Sequence, residues 1–145
     1  MGFLLAALLA APCLGAAPIA AVVRQASGLD WKVTGMLPEG LATHQYHLLY
    51  ENPATGAILT LVRFSRGYVL PTHRHASDET VVVLKGKLEV DVDGQAQTLG
   101  PGGYAMIPAG TWHAFKARGW RGCELVVGFS GPMDFQPATP PLPSK

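Results

Sequence analysis

The chain has 145 residues, enough for one domain with its own core. Its residues are 48% hydrophobic and 14% charged, and 11 basic against 10 acidic side chains leave a formal charge of +1. With no Lys/Arg cluster, that balance argues against a nucleic-acid partner and offers no dominant electrostatic one.

Met1 to Val23 carries no charged side chain. Phe3 to Leu14 has the length and apolar character of a secretory hydrophobic region, and small residues follow at Gly15-Ala16-Ala17 and Ala20-Ala21. The basic residues that usually precede such a region are missing, while Pro12, Gly15 and Pro18 would interrupt a long membrane helix. Residues 1–21 therefore read as an export signal cut after Ala17 or near Ala21, with an uncleaved anchor as the alternative. The mature protein is expected to be secreted or periplasmic and free of the membrane. Removing the leader takes Cys13 with it, so Cys123 has no partner for an internal disulfide and reads as a buried packing residue.

Residues 22–135 read as one all-β domain. Trp31-Lys-Val-Thr and Thr43 to Tyr50 look like strands separated by Pro38-Glu39-Gly40. Asn52-Pro-Ala-Thr-Gly56 is a turn, and Ala57 to Phe64 a further strand. His44 and His47 differ in parity, so at most one faces the interior. Thr80 to Leu84 is an unbroken apolar run, as expected of a strand covered on both faces, and Gly86 ends it. Leu88 to Asp93 alternates, sending Leu88, Val90 and Val92 inward and three acids to solvent. Asp93-Gly94 is the strongest hairpin signal in the chain, with Gln95 to Leu99 pairing back. Ala114-Phe115-Lys116 and Cys123 to Phe129 are two more strands. No stretch holds helical periodicity over three turns. Pro137, Pro140, Pro141 and Pro143 make residues 136–145 an extended or disordered tail.

Two stretches carry the chemistry. The first, Gly67 to Gly86, contains His73-Arg-His75 and then Glu79. Side chains alternate along a strand, so His73 and His75 share a face, and Glu79 can rejoin it after a short bend through Ala76-Ser77-Asp78. Arg74, between them, points away. Two imidazoles and a carboxylate suit one divalent transition ion, drawn from Cu, Fe, Mn, Co, Zn and Ni. The second stretch, Gly102 to His113, has a turn at Pro108-Ala109-Gly110 and supplies His113 as the fourth ligand.

The first stretch has the form G-x5-H-x-H-x3-E-x6-G and the second G-x5-P-x-G-x2-H. Together they resemble the two motifs of the cupin superfamily, which implies a double-stranded β-helix, or jelly-roll barrel. In that resemblance His73, His75, Glu79 and His113 match metal-ligand positions. The Asn that often follows the last histidine is Ala117 here, a departure outside the ligand set. A homodimer is also implied by the resemblance alone.

Four protein ligands on an ion that accepts five or six leave positions for water, dioxygen or substrate. Glu79 is the ligand best able to change its mode, and Glu79 and Tyr68 are the candidate catalytic residues, Glu79 or a nearby tyrosine acting as base. Tyr68, Met106, Trp112, Phe115 and Phe129 are candidate pocket walls, and Arg63 and Arg66 the nearest cations for an anionic substrate. Three functions are in play. The first is an oxygen- or peroxide-using oxidoreductase acting on a small aromatic or a carbohydrate, one form being copper-dependent attack on polysaccharide with Trp31, Trp112 or Trp120 against sugar rings. The second is a non-redox lyase or isomerase. The third is a binding module without turnover. Fold alone does not choose among them.

Overall fold

The computed structural model describes residues 20–33 and 44–138. Most of the leader and the turn at Pro38-Glu39-Gly40 lie outside that range. Among the described residues the regular structure is strand alone: β1 Lys32–Val33, β2 His44–Glu51, β3 Ile58–Phe64, β4 Val69–Arg74, β5 Glu79–Val92, β6 Gln95–Leu99, β7 Tyr104–Ile107, β8 His113–Phe129 and β9 Gln136–Pro137.

Every pairing is antiparallel, and two long strands organise the rest. The first half of β5 pairs with the second half of β8 and with β7, and β3 closes on β8 from the other side. The second half of β5 pairs with the first half of β8 and with β6, while β4 lines the other edge of β8. Each long strand therefore passes from one sheet to a second, and the two sheets curl into a jelly-roll barrel.

The crossing happens at glycines. The register between β5 and β8 breaks between Gly86 and Lys87, where Cys123 and Arg118 are the successive partners. Gly86 (φ 78°) and Gly122 (φ 77°) lie in the left-handed region, which glycine adopts without a Cβ penalty. Space is the second reason. A Cβ on Gly86 would stand 2.1 Å from the Gly122 carbonyl oxygen, and one on Gly122 would stand 2.0 Å from that of Phe64. At the opposite corner, Asp93 and Gly94 both have positive φ, the requirement of a tight two-residue hairpin.

Inward residues of both sheets form one core, with Tyr68, Val81, Val83, Leu88 and Leu125 almost wholly removed from solvent. Burying a side chain of this size contributes roughly 1.5–3 kcal/mol. Cys123 is free and buried, as read from the sequence, and burial pushes its thiol pKa up to about 12.

Three expectations change. The run Thr80 to Leu84 is not covered on both faces: Val81 and Val83 point inward, but Leu84 is 43% exposed, because among the described residues no second layer lies over this side of the first sheet. β5 does not end at Gly86 but bends there and continues to Val92. The boundary at residue 135 also moves, because Gln136 and Pro137 form β9 and pair with Arg74 and His73. Proline in a short edge strand gives up only a donor that no neighbour needs.

Gly122→Ala is expected to lower stability by more than about 2 kcal/mol, since the left-handed penalty of roughly 1–2 kcal/mol adds to a backbone clash. Gly94→Ala, with similar φ and nothing within 4 Å of its Cβ, should lose only about 1 kcal/mol. Urea unfolding of the two variants checks this; equal losses would mean that the backbone relaxes around the added methyl.

Candidate metal centre

His73, His75, Glu79 and His113 converge at one end of the barrel. One donor atom from each lies within 4.8 Å of the others, and all four residues are buried, between 1% and 6% exposed. The two sheets share the task. His73 and His113 face each other across β4 and β8, while Glu79 opens β5 between Ile107 of β7 and Phe129 of β8. His75 sits on the loop that crosses from one sheet to the other. The turn at Pro108-Ala109-Gly110 is fastened to that loop: Gly110 N–H donates to the His75 carbonyl at 2.8 Å, and Ala109 N–H to Asp78 Oδ1 at 2.9 Å.

The rings are oriented from behind. His73 Nδ1 lies 2.7 Å from the Pro71 carbonyl, His113 Nδ1 lies 2.9 Å from that of Thr111, and His75 Nδ1 makes a short contact with that of Asp134. A carbonyl only accepts, so each Nδ1 carries the proton and each neutral ring turns the Nε2 lone pair inward. His113 Nε2 is 2.9 Å and His75 Nε2 3.7 Å from Glu79 Oε2. The 2.9 Å approach is not aligned as a hydrogen bond, and His73 Nε2, Glu79 Oε2 and His113 Nε2 are buried without a hydrogen-bond partner. A carboxylate in such a place costs several kcal/mol unless a positive charge compensates it. The donor set therefore fits a single divalent metal ion, three imidazole nitrogens and one carboxylate oxygen being its ligands.

Burial pulls the His73 pKa down to about 3 despite its bond to Pro71, so this ring stays neutral. For His113 burial acts in the same direction, but the Glu79 carboxylate and the Thr111 carbonyl outweigh it and leave the pKa above the ordinary histidine value. A proton and a metal ion compete for that nitrogen, so metal binding releases it.

Aromatic rings wall the centre. Phe129 lies 4.8 Å from His75 between ring centroids, and Phe115 lies 5.2 Å from His113 and 6.0 Å from His73. The third wall escaped the sequence reading: Phe135 stacks on His73 at 4.7 Å with the planes 24° apart. Its only sequence signal is the alternation Met133, Asp134, Phe135, Gln136 ahead of the prolines.

Other candidates stand apart. Tyr68 is buried against Phe64 and lies edge-on to His44, with its hydroxyl 3.5 Å from His44 Nδ1; burial raises the phenol to about 12. A phenol held protonated in those surroundings is a poor base, which leaves Glu79 as the carboxylate among the inward-facing groups. His44 is the interior one of the two β2 histidines, and His47 packs near Trp31. Arg63 lies over Trp31 and pairs with Glu124, Arg66 is exposed, and Arg74 lies over Trp112 on the outer side. Met106 is 60% exposed. Trp120, 72% exposed, sits at the opposite bend beside Arg121. An open groove of about 1040 Å³ lies there too, between Lys85, Lys87, Arg118 and Trp120, and contains none of the four ligands.

Comparison with known proteins agrees with this geometry. Residues 60–129 match the family model described as "Cupin domain", and the chain belongs to the cupin superfamily. It is 39% identical over 71 residues to quercetin 2,3-dioxygenase of Bacillus subtilis (strain 168), a match taking in 47% of this chain and 21% of that protein. Among solved structures it resembles KdgF from Halomonas sp., with 25% identity, a TM-score of 0.60, and coverage of 72% of this chain and 89% of that one. It shares its fold with a putative acetylacetone dioxygenase from Methylibium petroleiphilum PM1 at 21% identity and a TM-score of 0.66, covering 86% and 85% of the two chains.

Burial holds the His44 pKa down to about 4 against an ordinary 6.5. The unfolded chain takes up a proton at this ring near pH 6.5 and the folded chain only near pH 4, so stability falls as the pH drops through that window. Metal-free His44→Gln should therefore show a shallower loss of stability than wild type between pH 7 and 4, measured by urea unfolding at each pH. Parallel slopes would remove His44 from the titration.

Proposed function

We propose that the chain is a mononuclear metal-dependent oxidoreductase that uses dioxygen on a small, largely apolar or aromatic molecule. The observation that carries this is the donor set itself, three oriented imidazoles and one carboxylate, enclosed by Phe115, Phe129 and Phe135. The partial match to quercetin 2,3-dioxygenase supports the same direction. When bound, a redox-active divalent ion supplies electron exchange with dioxygen and Lewis acidity toward a substrate oxygen.

The chain's own residues do the rest. The backbone carbonyls behind the three histidines hold the rings, so little reorganisation accompanies binding. The phenylalanines keep bulk water from the centre and offer flat apolar surface, which favours an aromatic or aliphatic body over a sugar chain. Glu79, at the inner edge of the site, is the group that holds a substrate proton at its carboxylate. Export to an oxidising compartment, read from residues 1–21, would place the protein where dioxygen is plentiful and Fe(II) is readily oxidised, which raises copper, manganese and zinc as ions to test.

A second copy of the chain belongs to this reading. The outer face of the first sheet carries Leu84, Tyr104 and Met106, 43%, 71% and 60% exposed, an apolar surface that a homodimer would cover. Sedimentation should give a dimer for wild type and a shift toward monomer for Tyr104→Lys with Met106→Lys; a monomeric wild type removes the dimer.

Elemental analysis of purified protein should give one equivalent of a redox-active ion, and oxygen uptake with flavonol and β-diketone substrates should require it. His75→Ala should lose most of the metal and all metal-dependent uptake. Turnover unchanged without oxygen would instead favour lyase or isomerase chemistry, and stoichiometric metal retained in His75→Ala would overturn the ligand assignment.

A further inference from the structure

The three ligand histidines are not held alike. His73 and His113 each donate to a carbonyl two residues earlier on their own stretch of chain, Pro71 and Thr111. His75 donates to the carbonyl of Asp134, 59 residues further on. Its orientation thus depends on a distant segment being in place.

That segment, Ser130 to Ala138, runs over the centre as a strap. Asp134 Oδ1 accepts from Ala76 N–H at 2.8 Å, beside His75, and Asp134 Oδ2 accepts from Gln136 Nε2 at 2.6 Å. Gln136 Oε1 in turn accepts from Arg74 Nε at 3.0 Å. Ser77 Oγ donates to the Pro132 carbonyl at 3.1 Å, and Ala138 N–H to that of Thr72 at 2.9 Å. Phe135 is thereby laid on the face of His73. Phe115 and Phe129, by contrast, belong to β8, which is paired along both edges.

With the four ligands 1–6% exposed, a substrate reaches them only if part of the cover moves. The barrel walls are held by interior ladders. The strap is held by a two-residue edge pairing and by side-chain bonds that are largely open to solvent, and such elements open first.

We propose that the strap both covers the centre and orients one of its ligands: Asp134 is a positioning residue for His75, and Phe135 is the wall that an entering apolar molecule displaces. Lifting the strap removes the acceptor behind His75, so access and metal affinity are coupled. Reciprocally, bound metal holds the strap down by the same factor. The inference rests on the four residues binding a metal, and goes beyond it in assigning the strap's role.

The test uses the full chain and Co²⁺ as probe, with affinity measured by chelator competition and coordination by visible absorption. Hydrogen exchange over residues 130–138 is followed with and without the ion. Wild type should show slower exchange in the strap when Co²⁺ is bound. Asp134→Ala keeps the main-chain carbonyl behind His75 but releases it from its anchor on Ala76, so it should bind Co²⁺ several-fold more weakly, short of the roughly 10–100-fold for losing an outer partner of a ligand outright. Its strap should exchange fast in either state. Asp134→Asn, which keeps the acceptor for Ala76 N–H, should recover most of the affinity. If Asp134→Ala fails to fold, Gln136→Ala loosens the same strap from its exposed side and should shift affinity and exchange in the same direction. Wild-type affinity in folded Asp134→Ala, or strap exchange indifferent to Co²⁺ in wild type, overturns the proposal while leaving the metal site standing. A wild type that binds no Co²⁺ sinks both.

Discussion

A carboxylate and three imidazole nitrogens brought together away from water are the constraint on which this barrel depends. In each neutral ring the carbonyl behind it fixes the tautomer and leaves the inward nitrogen without a proton, so it faces Glu79 as a lone pair unless the ring takes up a second proton. The unpaired Nε2 and Oε2 atoms are therefore a built-in debt of polar burial that a divalent ion cancels. Stability and function meet at this point, because the polar groups that cost most in the empty protein are those that bind most in the loaded one.

The rest of the fold serves that convergence. Two long strands must each serve both sheets, and they can do so only by bending where Gly86 and Gly122 bring backbone against backbone. The bends put the ligand-bearing ends of β4, β5 and β8 at the opposite end of the barrel, where Asp78 and Gly110 tie the two motif loops together. The glycines and the Pro108 turn are thus as much part of the metal centre as its ligands, acting through strand direction and not through contact.

One end of the barrel is dry, aromatic and carries the ligands; the other is open, basic and carries Trp120. The dry end owes its seal to the chain beyond β8. A strap held by a two-residue pairing and a few single bonds gives a tight cover in the closed state and a low cost of opening, a balance that a ninth full-length strand would not provide.

Much of this was written in the sequence, for a physical reason. A strand repeats every two residues, so the spacing His73, His75, Glu79 implies a shared face, alternation from Leu88 to Val92 implies one buried side, and Asp93-Gly94 implies a hairpin. Those are local rules, and local rules can be read without coordinates. What tertiary structure alone decided depends on register between distant segments. It turned His44 inward and His47 outward, put no described residue over Leu84, and placed Tyr68 against Phe64 and His44. It also carried Asp134 and Phe135 back across 59 residues to His75 and 62 to His73 as numbered along the chain. No periodicity reports a partner that far away, because the contact is set by how two sheets close and not by the chain on either side of it.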